Sequence, residues 1–390
     1  MGRFQRALEK HSGSNFPVRC HCIRSSPFGS DVCRDSESLK GLTWSVGQTY
    51  QDLYAYSVEN RSAFYDFCWK YFDIIHEGSY TTVVNESARM DSIPTWFQGV
   101  RLNFAENVLL STGNGAAGGI TKRGKEDDKI AVTEVREGKE EDEVRLTWGE
   151  LRARTGKLMQ AMKAAGVSKG DCVAVVASNS IDTLLVFLAV TALGGIFSSS
   201  STDMGVDGIL ARLKQIKPRW LFMDDMARYN RKVIDLREKM ANLVRGMEEV
   251  VEFQGIVAIP RFADRIADVS EVPKAQTFAS FLAKRKSDAL EFLKVDFGDP
   301  FLVVYSSGTT GQPKCIVHSV GGVLVNANKE GRLHHEMGED SVVLQYTTTG
   351  WIMYLVAVQS LAFGARVVLY DGSPFVPDQS ILIRLAGEQR

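Results

Sequence analysis

Between Lys129 and Met223 short apolar runs alternate with longer amphipathic ones, and no other feature of the chain restricts its possible folds as tightly. Lys129 to Val135 and Val144 to Trp148 carry apolar residues at every second position, the period of a strand with one buried face. The charged turn between them, Glu137-Gly138-Lys139, reads as a solvated loop tip. Gly149 to Ala165 shows helical spacing closed by Gly166, and Cys172 to Ala177 is a short apolar strand. A helix over Ile181 to Leu193, a strand over Gly195 to Ser199, a helix over Ile209 to Ile216 stopped ahead of Pro218, and a strand over Trp220 to Met223 continue the series. This alternation predicts an α/β fold of largely parallel sheets with flanking helices. Residues 226 to 298 are less legible: a basic helical stretch, a strand from Val250 to Ile259, then mixed helix.

Upstream of the linker Gly113 to Gly119 the chain changes character. From Thr49 to Leu110 aromatic residues are dense, with Tyr54, Tyr56, Phe64, Tyr65, Phe67, Trp69, Tyr71 and Phe72 spaced for a helix with a wide apolar face that packs into a core. Residues 1 to 45 are polar, Ser-rich and patternless, which predicts poor order. The first thirty residues are basic and Ser-rich with Glu9 as their only acid, a composition shared by organelle transit peptides and disordered cytosolic tails. A cytoplasmic protein is expected, with a mitochondrial one as the alternative.

With 46 Lys plus Arg against 47 Asp plus Glu, no long-range field favours nucleic acid or an anionic membrane, so small-molecule partners are expected. No run of about 18 strongly apolar residues marks a membrane span. The six cysteines are too scattered to staple a chain of 390 residues, which suits a reducing compartment. Cys20-His21-Cys22 with Cys33 lacks the usual two-residue spacing of a zinc site, and no metal ligands are assigned.

The chemistry-bearing signal lies at Phe301 to Tyr305, a buried strand running into Ser306-Ser307-Gly308-Thr309-Thr310-Gly311-Gln312-Pro313-Lys314. Two glycines let the backbone turn tightly and present N–H groups, while four hydroxyls and one ammonium add donors; together these can hold a polyphosphate. The loop is not the P-loop of ordinary nucleotidases, because Gly308 and Gly311 enclose two residues instead of four and Lys314 follows Pro313. His334-His335 with Asp340 is one residue too long for an HHxxxD acyltransferase motif and reads as surface.

The string YSSGTTGQPK resembles the phosphate-loop signature of the adenylate-forming enzymes, the superfamily of acyl-CoA synthetases, peptide synthetase adenylation domains and luciferases. Leu146-Thr147-Trp148-Gly149-Glu150-Leu151 and Ala189 to Ser201 are similar to two earlier elements of that family. Within it, Tyr56-Ser57-Val58-Glu59, Trp96 to Gly99 and Leu102 to Asn107 resemble the N-terminal cap of acetyl- and acetoacetyl-CoA synthetases. Gly195 to Gly205, Cys315 to Ser319 and Tyr346 to Trp351 resemble the acetoacetyl branch. Two departures stand out: Cys315 occupies a position often held by glycine, and Ile352-Met353-Tyr354-Leu355 stands where a second tryptophan and an asparagine are expected, which bears on the shape of the acyl pocket.

The resemblance implies a helical cap over residues 46–112 and an incomplete adenylation domain over 120–390. It implies the activation of acetoacetate with ATP and Mg2+ through an acyl-adenylate, then transfer to CoA. Ser306, Ser307, Gly308, Thr309, Thr310, Gly311 and Lys314 would hold the ATP phosphates, with Lys314 neutralising the pyrophosphate as it leaves. Thr347, Thr348, Thr349, Gly350 and Trp351 would line the acyl side. Acetate or another short acid is the alternative substrate. Family members continue past the position of Arg390 into their adenine-binding segments and mobile lid, so the chain is expected to be either a C-terminally shortened ligase or a non-catalytic nucleotide-binding protein.

Overall fold

The computed structural model describes residues 50–113, 119–138, 143–306 and 311–389. The expectations for residues 1–45, including Cys20, His21, Cys22 and Cys33, lie outside the described residues.

The aromatic run is two helices rather than one, α1 (Tyr50–Glu59) and α2 (Arg61–Tyr71), because Asn60 between them leaves the helical region at φ −118° and ψ 48°. Asparagine competes with helical backbone and favours caps. The core expectation holds: Phe64, Phe67, Trp69 and Phe72 are buried, and Trp69 stacks on Phe97 with ring centroids 4.7 Å apart. Strands β1 (His76–Glu77) and β2 (Arg101–Leu102) pair antiparallel and lead into α3 (Phe104–Leu109). Asn103 caps α3 by accepting from the Glu106 N–H, while its Nδ2 donates to the carbonyls of Thr191 (2.9 Å), Ala192 (3.1 Å) and Leu293 (2.8 Å). One buried side chain therefore ties this region to the body of the molecule. At the other end of α3, Lys125 Nζ donates to the carbonyls of Asn107 and Leu110, and Arg152 to that of Leu109. Two cations thus satisfy carbonyls that a helix end leaves free.

A short pair, β3 (Ser111–Thr112) and β4 (Ile120–Thr121), precedes β5 (Ile130–Arg136) and β6 (Val144–Thr147). Thr147 and Glu150 form a reciprocal capping box that starts α4 (Trp148–Ala164). The predicted alternation follows as β7 (Cys172–Val176), α5 (Ile181–Ala192) capped by Ser180, β8 (Ile196–Ser200), α6 (Val206–Ile216) and β9 (Trp220–Asp224).

The expected basic helix beyond β9 begins instead as a hairpin, β10 (Met226–Tyr229) and β11 (Lys232–Asp235), with Asn230 and Arg231 at positive φ in its turn; only then comes α7 (Arg237–Gly246). The strand expected from Val250 starts later, as β12 (Gly255–Ile259). Gly255 sits at φ +145°, and a Cβ there would stand 2.2 Å from the Lys274 carbonyl oxygen, so the strand can begin only at glycine. The remaining elements are β13 (Ala275–Thr277), α8 (Phe278–Leu282), β14 (Val295–Asp296), β15 (Pro300–Ser306), β16 (Lys314–Ser319), α9 (Val320–Asn328), β17 (Val342–Leu344), α10 (Ile352–Ser360), β18 (Arg366–Asp371) and α11 (Ile381–Glu388).

Seven strands form the larger sheet in the order β13-β12-β9-β7-β8-β15-β16, parallel throughout except for β16 at the edge. A second sheet runs β17-β18-β5-β6, with β6 antiparallel. Val173 and Val175 point into the cluster shared with α4, α5, α10 and the second sheet, whereas Ala174 and Val176 pack against α6 and α7. Period-two alternation on β7 thus feeds two apolar layers, as a sheet covered on both faces requires. Among the described residues no helix is long and apolar enough to cross a membrane.

Two ionic features join the sheets. Arg261, just beyond β12, donates to Glu134 Oε1 of β5 (2.8 Å) and to Asp371 Oδ2 of β18 (2.6 Å) and is itself 4% exposed. Glu137, expected on a solvated loop tip, is buried. Its carboxylate accepts the N–H groups of Asn230 (2.9 Å), Arg231 (2.5 Å) and Ser373 (2.8 Å), so this side chain is held inside by three loop amides while Gly138 next to it stays exposed.

Candidate active site

Strand β15 runs parallel to β8, pairing Leu302 with Phe197 and Val303 with Ser198, and ends at Ser306. Strand β16 returns antiparallel, with Ser306 facing Lys314 and Tyr305 facing Cys315. Strands β15 and β16 therefore form a hairpin that opens at the carboxyl end of a parallel strand, where open α/β sheets bind ligands. Ser307, Gly308, Thr309 and Thr310 lie outside the described residues. Gly311 adopts φ +84°, a Cβ there would meet no atom of the described residues within 4 Å, and Lys314 at the start of β16 is exposed.

Helix α6 fastens both stems of this hairpin. Tyr305 donates its hydroxyl to the Arg212 carbonyl (3.0 Å), and the Arg212 guanidinium lies 5.3 Å from the Tyr305 ring centroid. Burial, helped by Cys315, raises the Tyr305 pKa and keeps the phenol a donor. On the other stem, Gln215 Nε2 donates to the Pro313 carbonyl (3.1 Å) and its Oε1 accepts from the Cys315 thiol (3.2 Å).

The second predicted segment sits on the same edge of the sheet. Thr349 is buried, donates its Oγ1 to the Ala177 carbonyl beyond β7 (3.0 Å), and accepts at its own carbonyl from Ser199 Oγ on β8. A Cβ on Gly350 would stand 3.3 Å from Ser200 Cα, so this residue lies directly against the strand. Thr347 is half-buried, Thr348 is exposed, and Trp351 is 68% exposed. Strand β8 is therefore the shared support: Ser306 leaves its neighbour β15, and the Thr349 loop rests on its own carboxyl end.

A groove of about 520 Å³ lies between β16, α9, the π-helical turn Lys329–His334 and α10. Its walls include Val323, Ile352, Met353 and Val356, with His318 and Asn326 among the polar members. This is within the size range of small-molecule sites. Sequence reasoning did not find it, because its walls come from segments that only tertiary packing brings together; the departure at Ile352-Met353 was its one visible trace. His334, His335 and Asp340 are exposed, as expected of surface residues. Among the described residues no group of three or more His, Cys, Asp or Glu side chains converges to hold a metal ion.

The sequence pattern of AMP-binding enzymes matches residues 121–390, and that of the acetyl-coenzyme A synthetase N-terminus matches residues 50–108. The chain belongs to the AMP-binding enzyme family. An acetoacetyl-CoA synthetase of Gallus gallus is 40% identical over 85% of this chain and 48% of its own length. A malonamoyl-CoA synthetase of Penicillium aethiopicum is 36% identical over 84% of this chain and 44% of its own. The solved acetoacetyl-CoA synthetase from Streptomyces lividans superposes with a TM-score of 0.76 at 31% identity, covering 88% of this chain and 49% of that one. The chain spans about half the length of the relatives it matches. For this member of the AMP-binding family, the α/β architecture read from the sequence is the architecture observed.

Proposed function

We propose that the chain carries the adenylating half of an acid–thiol ligase site that activates acetoacetate. In this reading the carboxylate attacks the α-phosphorus of ATP, the bond to the bridging oxygen of pyrophosphate breaks, and an acyl-adenylate forms. The CoA thiol then attacks the acyl carbon, AMP leaves, and the thiol proton goes to solvent. The observation that carries the reading is the shared support of β8, which brings the phosphate hairpin and the Thr349 loop to one edge of one sheet.

The described part of the hairpin fits a polyphosphate. Ser306 offers a hydroxyl, Gly311 leaves the approach open, and Lys314 supplies positive charge; Ser307, Gly308, Thr309 and Thr310 complete the assignment. Mg2+ would arrive with ATP and offset phosphate charge when bound. Catalysis then rests on positioning and on charge neutralisation of the leaving pyrophosphate, with Lys314 in that role. Thr347 to Trp351 line the approach of the acid. The acyl group lies in the groove, whose walls Ile352 and Met353 follow directly on Trp351 and whose strand β16 begins at Lys314. A cap over 46–112 and an adenylation domain from residue 120 to 390 go with this reading.

The names of the two relatives support a particular acid class, because acetoacetyl and malonamoyl groups both carry a carbonyl at the third carbon. The test is exchange of labelled pyrophosphate into ATP by the purified chain with acetoacetate, acetate and butyrate in parallel. Exchange led by acetoacetate is the expected result. Equal exchange with all three would replace the substrate, and ATP binding without any exchange would replace the reading with a nucleotide-binding one.

A further inference from the structure

We propose that His318 determines specificity in the groove by donating a hydrogen bond to the C3 carbonyl oxygen of a 3-oxo acid. The inference rests on the acyl-site reading of the groove and goes beyond it by naming the group that separates a 3-oxo acid from a plain short-chain one.

His318 belongs to β16, the strand that starts at Lys314, and it lines the groove together with Val323, Ile352, Met353 and Val356. Against these four apolar residues a saturated acid is held by apolar contact, while Ser319, Asn326, Glu330, His335 and Gln359 supply the other polar lining. A 3-oxo acid of the same length must also shed water from its keto oxygen, which is unfavourable unless the site supplies a donor. A pocket selective for it therefore needs a neutral N–H or O–H beside its apolar residues.

The imidazole meets that requirement. Its Nε2 is shut off from solvent and has no hydrogen-bond partner, whereas Nδ1 is not among the buried, partnerless atoms. Burial lowers the pKa of the ring, so the neutral form with a single N–H prevails at neutral pH. A proton on Nε2 would be a buried donor with nothing to accept it. A proton on Nδ1 leaves only an unfilled acceptor inside, the milder of the two defects, and turns the accessible nitrogen into a donor. The carboxylate on the groove wall, that of Glu330, is already engaged by the Lys329 ammonium at 2.7 Å. Asn326, exposed on α9, also lines the groove and carries amide N–H donors.

The test measures binding of acetoacetate and of butyrate, its equivalent without the keto group, to the full chain in the presence of a non-hydrolysable ATP analogue. Three proteins are compared: the parent, His318→Leu, and His318→Gln, which keeps a donor. The parent should favour acetoacetate. His318→Leu should lose about tenfold of that preference, read as the ratio of the acetoacetate and butyrate affinities, and His318→Gln should recover part of it. Nitrogen-15 spectra of the parent should show the neutral tautomer with the proton on Nδ1. A preference unchanged in His318→Leu, or equal binding of the two acids by the parent, overturns the role of His318 while leaving the groove as the acyl site. Failure of the parent to bind either acid overturns the reading of the groove and the inference with it.

Discussion

Removing the guanidinium that joins the two sheets should destabilise the chain in a pH-dependent way. In Arg261→Met the carboxylates of Glu134 and Asp371 stay in place but lose the cation lying 2.8 and 2.6 Å from them. Breaking a buried pair on one side costs about 3–5 kcal/mol, because the surviving charge remains desolvated. The sign with pH follows from Glu134. Burial pushes its carboxyl up, but Arg261, the Ile181 N–H and Arg136 together outweigh burial and hold it below its ordinary value. That contribution is present above the unfolded carboxyl pKa of about 4.3 and is lost as pH falls through the lower folded value. In the variant burial acts without Arg261, so the folded value rises and the carboxyl can protonate instead of remaining an unpaired ion. The deficit should therefore be full at pH 7.5 and shrink towards pH 4. Urea unfolding followed by far-ultraviolet circular dichroism and by fluorescence, at several pH values, reads this directly, with coincidence of the two probes showing whether one transition describes the chain. A variant within about 1 kcal/mol of the parent at pH 7.5, or a deficit independent of pH, would refute the argument. The ion pairs also bear on the site. The second Glu134 oxygen accepts from the Ile181 N–H (2.7 Å) at the start of α5, next to the turn whose Ala177 carbonyl takes the Thr349 hydroxyl.

Lys314→Ala should slow pyrophosphate exchange about a hundredfold while weakening ATP binding much less, and equal losses in both would remove its role on the leaving group. Glu137→Ala should cost about 2–3 kcal/mol in urea unfolding, since one buried and two part-buried N–H groups lose their acceptor, and Glu137→Gln about half of that because one oxygen remains. Mild alkylation followed by peptide mapping should label Cys315, which is exposed, well before Cys68 and Cys172, whose thiols burial pushes up to about 12 and about 11. Faster labelling of Cys68 would show that its cluster opens readily.

The stretch from β5 to β9 was legible because local signals agree there. Period-two apolar runs, the Thr147–Glu150 box, the Ser180 cap and Pro218 all mark the same boundaries. The hairpin β10–β11 was not, since its turn uses Asn230 and Arg231 at positive φ without a glycine, and its residues read as helix formers. Glu137 was misplaced because its partners lie 93, 94 and 236 residues further on, and no local pattern reports a carboxylate that caps distant loops. The first strand of the hairpin, Phe301 to Tyr305, was legible from its short β-branched apolar run. Its anchoring to α6 through Tyr305 and Gln215 was not, and neither was the groove, whose facing walls His318 and Met353 become neighbours only when α9 and α10 pack.

The central claim is that the phosphate hairpin, the Thr349 loop and the groove form one site. Hydrogen–deuterium exchange of the full chain, with and without a non-hydrolysable acetoacetyl-adenylate analogue, tests it most directly. The account predicts simultaneous protection of residues 306–319 and 345–353, with no comparable change in the β10–β11 hairpin. Protection of only one of these segments, or of neither while the analogue is bound, would contradict it.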